Sequence, residues 1–176
     1  LEMCALVGAV LGAGSDTAVD LHSYLIKNLL QHPKQYNALM ADETLVQGAI
    51  SETLRYESSG KTGLARYASE DLEIQGHQIK KGQMVQLITS TAGMDPLIYH
   101  DPRTFDIKRD HDKSISFGQG PHYCIGVTLV RSQTEVMLKE LFKRFPNLSL
   151  GDDVVYDYDH HNARRMDVMT VKTNIN

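Results

Sequence analysis

The sequence predicts a mainly α fold carrying small antiparallel β-sheets, an α+β class, on three observations. Residues Leu1 to about Gln31 keep a helical pattern until His32-Pro33 stops it. Short alternating segments punctuated by glycine turns fill residues 64–90. An amphipathic pattern then runs from Ile125 to Phe145 and ends at Pro146. A chain of 176 residues, 41% hydrophobic and 23% charged, can bury a sizeable core and reads as globular. The net charge of -4, without a basic aromatic stripe, argues against nucleic acid as a partner. Cys4 and Cys124 make no disulfide framework, which points to a reducing compartment, the cytoplasm. The longest apolar stretch, Met3 to Gly14, is too short to span a bilayer and lacks the charged leader of a signal peptide.

The first helix begins without a cap, so the chain looks cut. Its first half is apolar on all sides, which predicts burial all round. Gly8 and Gly12 lie one turn apart beside Ala5, Ala9 and Ala13. Each helix-interior glycine costs roughly 1 kcal/mol against alanine, so close helix packing is expected there. Ser15, Asp16 and Thr17 interrupt the apolar run and need partners; Thr17 can bond back to a carbonyl one turn earlier.

A short helix is predicted over Pro33–Ala41 and a second over Glu43–Glu57, with Thr44 as its cap. Glu52 and Arg55, three apart, share a face with Ile50 and Leu54 nearby, which favours a partly buried ion pair. Strands are predicted at Leu64–Tyr67, Leu72–Ile74, about Ile79 and Met84–Thr89, forming one small antiparallel sheet. Asp95-Pro96 starts a helical turn, and irregular structure follows from His100 to Ser116. Leu148 to Val171 reads as hairpin strands, clearest over Met166–Val171.

The densest chemistry lies in Ser116-Phe117-Gly118-Gln119-Gly120-Pro121-His122-Tyr123-Cys124-Ile125-Gly126. Glycines let this backbone curl and bring amide N–H groups near the cysteine, while the following helix points its positive end there. Such a setting suits a sulfur ligand to a soft metal centre, haem iron among them. A structural cysteine behind a turn is the other reading of this loop taken alone.

Together these pieces resemble a cytochrome P-450, a haem-thiolate monooxygenase, of the soluble bacterial type and specifically its C-terminal half, from the I helix to the C-terminus. Phe117 to Gly126 resembles the haem-binding signature, Glu52-Thr53-Leu54-Arg55 the Glu-x-x-Arg motif, and Ala13-Gly14-Ser15-Asp16-Thr17 the oxygen-activation motif. The resemblance divides a partial domain over 1–176 into a long I-like helix 1–31, the Glu-x-x-Arg helix 43–57 and a β region 64–90. A meander with the cysteine loop over 100–124, an L-like helix 125–145 and C-terminal β hairpins 148–173 complete it.

It implies haem b (iron protoporphyrin IX) as cofactor, with Cys124 as the iron ligand and metal-binding residue. His122 and Arg66 would meet the propionates, Phe117 would pack on the sulfur side, and Gly118 to Gly126 would offer amides to the sulfur. Asp16 and Thr17 would be catalytic, relaying protons to bound dioxygen. Glu52, Arg55 and Arg109 would form a structural charge triad. The implied partners are a small organic substrate, a ferredoxin/ferredoxin reductase-type electron donor, and either a missing N-terminal half or a homodimer covering the long helix. Lys108, Lys113 and Arg131 are candidates for the donor's docking rim.

The implied activity is an oxidoreductase reaction that hydroxylates or otherwise oxidises the substrate with electrons from NAD(P)H. The alternative is a truncated stand-alone haem-binding or scaffold protein without turnover. Ala92-Gly93-Met94 replaces the family's usual Asn-Arg before Asp95-Pro96, which is expected to loosen that corner. Ser59 to Leu64 is the expected substrate-contact segment. His160-His161 and Asp110-His111-Asp112 lack a spaced second ligand pair and read as solvated loop.

Overall fold

The computed structural model of the protein describes residues 1–60, 63–159 and 163–173. Helix α1 spans Glu2–Gln31 and ends where His32 leaves helical geometry ahead of Pro33, which opens α2, Pro33–Ala41. A 3₁₀ turn over Glu43–Leu45 leads into α3, Val46–Tyr56. The cap of that turn is Asp42 rather than Thr44: its carboxylate accepts the Thr44 amide at 3.0 Å and hydroxyl at 2.6 Å.

The predicted single sheet is two separate antiparallel ribbons. Strand β1, Leu64–Tyr67, pairs with β4, Met84–Leu87, and between them β2, Leu72–Ile74, pairs with β3, His77–Ile79. The last residue of the strand predicted to Thr89 instead starts a one-turn helix, α4, Thr89–Ala92. Helix α5 covers Val127–Arg144, and a long hairpin follows, β5, Ser149–Asp157, on β6, Arg165–Lys172.

The core forms where α1, α3, α5 and the loop after α4 converge. Leu21, Leu25 and Leu29 of α1 meet Ala49 and Ile50 of α3, Leu138 and Phe142 of α5, and Phe105 and Ile107 of the loop. The spacing of four in the α1 trio puts them on one stripe, so only one face of its second half is fully committed to this core. The opposite side of that half takes the β5–β6 hairpin: Tyr24 stacks on Tyr156 at 6.3 Å and donates to the Arg164 carbonyl at 2.8 Å.

The first half of α1 departs from expectation. Composition predicts burial on every side, yet Met3, Leu6, Val7, Val10 and Leu11 are all exposed. The core elements of the described chain pack on residues from Asp20 onward, leaving nothing to cover the apolar start. Gly8 and Gly12 have no atom within 4 Å of where a Cβ would sit, so the close packing expected of them is not present. Continued as one helix, the apolar run is also longer than the sequence suggests. An 18-residue window averages a hydropathy of 1.3, enough by length and composition alone to cross a bilayer, although the helix's second half belongs to the core.

Candidate functional site

Two structures make up the candidate site, and the first is a buried ion cluster. Glu52 and Arg55 lie one turn apart on α3, with side chains fully removed from solvent. The guanidinium grips the carboxylate with two parallel bonds, Nε to Oε2 and Nη2 to Oε1, both 2.7 Å. Its remaining N–H groups donate to the carbonyls of Gly93 at 2.8 Å, Pro102 at 2.7 Å and Thr104 at 3.1 Å. Arg109 adds a longer 3.4 Å contact to Glu52 Oε1, and the Asp106 amide donates to the same oxygen at 2.8 Å. A buried pair holds only when its lone pairs and protons are all used, and these are. The cluster ties one turn of α3 to three points of the irregular segment before the cysteine.

Gly93 is part of that tie. A Cβ there would sit 2.5 Å from the Arg55 carbonyl oxygen, so the corner expected to be loosened by Ala92-Gly93-Met94 is instead closely packed. His111 is the residue the sequence concealed. Expected as solvated loop, it is largely buried with Nε2 3.7 Å from Glu52 Oε2, too far for a hydrogen bond, and neither ring nitrogen has a hydrogen-bond partner among the described residues. Burial pushes its pKa down; Glu52 opposes this, and Arg55 and Arg109 reinforce it. With Glu52 already gripped by two guanidiniums, burial prevails and the ring is held neutral.

The second structure is the loop itself. Gly118 at φ 76° and Gly120 at φ 62° take the left-handed turns that only glycine adopts without strain. The loop closes on its own backbone: the Gly118 amide donates to Ile115 O at 2.9 Å, Tyr123 to Gly120 O at 3.0 Å and Cys124 to Phe117 O at 2.9 Å. A 3₁₀ turn over Gly120–His122 brings the chain to Cys124, just ahead of α5. Cys124 is partly exposed and unpaired, and its neighbours Tyr123, Ile125 and Leu129 are exposed despite being apolar.

Arg131 on α5 lies over the Phe117 ring, 5.3 Å to the centroid, while donating to Gln47 at 2.8 Å and Ser51 at 3.1 Å on α3. That engagement corrects its assignment to a free docking rim: it braces the loop against α3. Lys108 and Lys113 are exposed.

The other sequence-predicted residues are distributed as follows. Thr17 donates its hydroxyl to Ala13 O at 2.7 Å, the back-bond expected of it. Asp16 is ion-paired with Arg165 of β6, a partner no motif predicts because it lies at the far end of the chain. Among the described residues, no hydrogen bond or ion pair joins Asp16 or Thr17 to the cysteine loop. Arg66 is exposed on β1 and bonds only its neighbour's carbonyl, Ala65 O, at 2.9 Å; His122 is exposed too. The Ser59–Leu64 segment lies partly outside the described residues, as do His160-His161. Its described start is bound to the hairpin, with the Arg164 amide donating to Ser59 O at 2.7 Å.

The loop thus presents the partly exposed Cys124 thiol next to the start of α5, with Arg131 bracing it against the helix that carries the Glu52–Arg55 pair. The cytochrome P450 family model matches residues 1–163, and the chain belongs to that family. It is 37% identical over 170 residues to the epothilone C/D epoxidase of Sorangium cellulosum, covering 97% of this chain and 40% of that protein. To the biotin biosynthesis cytochrome P450 of Bacillus subtilis it is 41% identical over 140 residues, 80% of this chain and 35% of that one. The solved structure of epothilone D-bound cytochrome P450epoK superposes with a TM-score of 0.91 at 36% identity, over 97% of this chain and 42% of the other. CYP109E1 from Bacillus megaterium, with corticosterone, gives a TM-score of 0.92 at 27% identity, over 99% and 47%. The chain thus spans about 40% of the length of the curated relatives it matches.

These matches correct the expectation of a C-terminal half only. The family fold runs through up to 99% of the chain. With the match running over nearly all of this chain, the expectations of a truncated chain, a missing N-terminal half and a homodimer covering the long helix are withdrawn. The α+β class itself is observed.

Family membership implies a haem cofactor, and the donor set fits one. A cysteine thiolate is one of the protein ligands that would hold haem iron. Of the two free cysteines, Cys4 stands exposed on the first turn of α1, and Cys124, partly exposed, ends the glycine loop just ahead of α5; the described residues hold no cluster of three or more His, Cys, Asp or Glu.

Proposed function

We propose that this chain provides the haem-thiolate site of a monooxygenase, with haem b held by Cys124. Its sulfur is partly exposed at the end of a loop that three backbone hydrogen bonds close on itself, and this observation carries the reading. His122 and Arg66 are the hydrogen-bond donors for the propionates, both exposed and without an acidic partner among the described residues. Phe117, fixed beneath Arg131, keeps water from the sulfur side, and Gly118 and Gly126 let the backbone approach it closely. Bound there, the haem supplies dioxygen activation, drawing two electrons from NAD(P)H through a redox protein.

Asp16 and Thr17 are the proton-handling residues of α1. The Thr17 hydroxyl, now turned to Ala13 O, can re-aim by rotation about a single bond, and Asp16, paired with Arg165, is the carboxylate beside it. The substrate class is a small organic molecule presented for hydroxylation or a related oxidation; among the relatives are an epoxidase and a vitamin D3 dihydroxylase. We place the protein in the cytoplasm, in keeping with two unpaired cysteines.

The test is spectroscopic. Reconstituted with haem, reduced and exposed to carbon monoxide, the protein should show the red-shifted Soret band of thiolate ligation. Cys124→Ser should abolish that band, and His122→Ala should weaken haem retention without moving it. Failure to take up haem, or a band that persists in Cys124→Ser, would overturn the assignment.

A further inference from the structure

A second recess lies away from the cysteine loop, between the end of α1, the end of α3 and the start of β6. It measures about 350 Å³ and is lined among others by Lys27, Asn28, Gln31, Glu57, Arg103 and Arg164. Three cations there face one carboxylate. Glu57 is already engaged: Lys27 pairs with it closely and Arg164 reaches it at 3.4 Å. Arg103 is exposed and has no hydrogen-bond or ion-pair partner among the described residues.

Two tyrosines next to the pairs do not offset this charge. Tyr156 accepts from Lys27 at 2.9 Å, and burial first, then Glu57, pushes its pKa up to about 12, so it stays neutral. Tyr24 is shifted upward as well, chiefly by burial. The wall also holds an unfilled polar group. Asn28 is 1% exposed, yet among the described residues neither its carboxamide nitrogen nor its oxygen has a partner. A buried amide left this way costs on the order of 1–3 kcal/mol, which a ligand supplying an acceptor would recover.

We propose that this recess binds a small oxyanion, a carboxylate or phosphate group of a soluble metabolite. The anion's charge is met by Arg103 and Arg164, and the Asn28 amide donates to one of its oxygens. A volume of about 350 Å³ falls within the ordinary range for small-molecule sites. The position of Arg103 at the rim gives the ligand its first contact, and the arginine geometry suits planar or tetrahedral oxyanions alike. The inference does not depend on haem, and it assigns a regulatory or second-ligand site rather than a catalytic one.

Calorimetric titration with inorganic phosphate and, separately, with succinate at constant ionic strength tests it. At least one should bind saturably with one-to-one stoichiometry, and which one identifies the headgroup. Arg103→Gln, on an exposed side chain, should raise that dissociation constant about tenfold, as loss of a charged hydrogen bond predicts. Arg103→Lys should restore part of the loss, and Asn28→Ala should weaken binding while leaving circular dichroism unchanged. No saturable binding of either anion, or affinity unaltered in Arg103→Gln, would overturn the proposal. Run on the Cys124→Ser protein, the same titration should give unchanged affinity, which separates this site from the haem-site reading.

Discussion

The Glu52–Arg55 cluster and the Cys124 loop stand close together along the fold and are built on opposite plans. In the cluster every charge is buried and every donor is used, by carbonyls drawn from three separate places between Gly93 and Thr104. In the loop three backbone bonds close the ten residues from Ile115 to Cys124, and the side chains of Cys124, His122 and Tyr123 are left partly or fully exposed. The cluster converts buried charge into a fixed geometry; the loop spends local backbone order on presenting a reactive atom. Stability and ligand presentation are therefore separable in this protein, and substitutions should sort accordingly.

The largest effect is expected at the cluster. Arg55→Ala leaves Glu52 buried without its partner and should cost about 3–5 kcal/mol in urea unfolding, enough to unfold a marginal domain. A loss below about 1 kcal/mol would show that the cluster is solvated in practice and would dissolve the contrast. Gly93→Ala comes next. Its new methyl meets the Arg55 carbonyl, and overpacking of this sort should cost about 1–3 kcal/mol by the same measurement.

His111 should give a smaller, pH-dependent effect. Burial lowers its pKa in the folded state, so below the ordinary value of 6.5 the unfolded chain binds the extra proton more readily. Stability should therefore fall as the pH drops from about 7 towards 5, with His22, also lowered by burial, adding to the slope. His111→Gln should flatten that slope; an unchanged slope would mean the ring is not the group responsible. At the far end of the scale, Cys124→Ser should alter unfolding by about 0.5 kcal/mol or less while removing the thiolate band altogether. A large loss of stability there would mean the loop is core after all.

Much of this contrast was legible in the residues. Glu52 and Arg55 announce themselves by helical spacing among apolar neighbours, and Cys124 by its glycines and the helix after it. His111 was not legible, because two flanking aspartates give a solvated look and only the return of the loop onto α3 buries the ring. Arg165 and Arg164 were equally hidden: they reach Asp16 and Glu57 across more than a hundred residues of chain. Composition also misled in the first half of α1, where apolarity predicts burial but burial needs a neighbour.

By itself the sequence determined the long helix and its stop at His32-Pro33, the ion pair one turn apart, the hairpin order and the loop that presents Cys124. Each of these depends on interactions within a few residues, such as helical periodicity, turn glycines and proline stops, and local rules reach that far. The tertiary structure alone decided that Arg131 braces Phe117, that Gly93 must be small, that His111 is neutral and that three cations line a recess beside an unpartnered Asn28. Those outcomes depend on which distant groups share a desolvated volume. Desolvation and long-range contact are properties of the packed chain, set only when its elements meet.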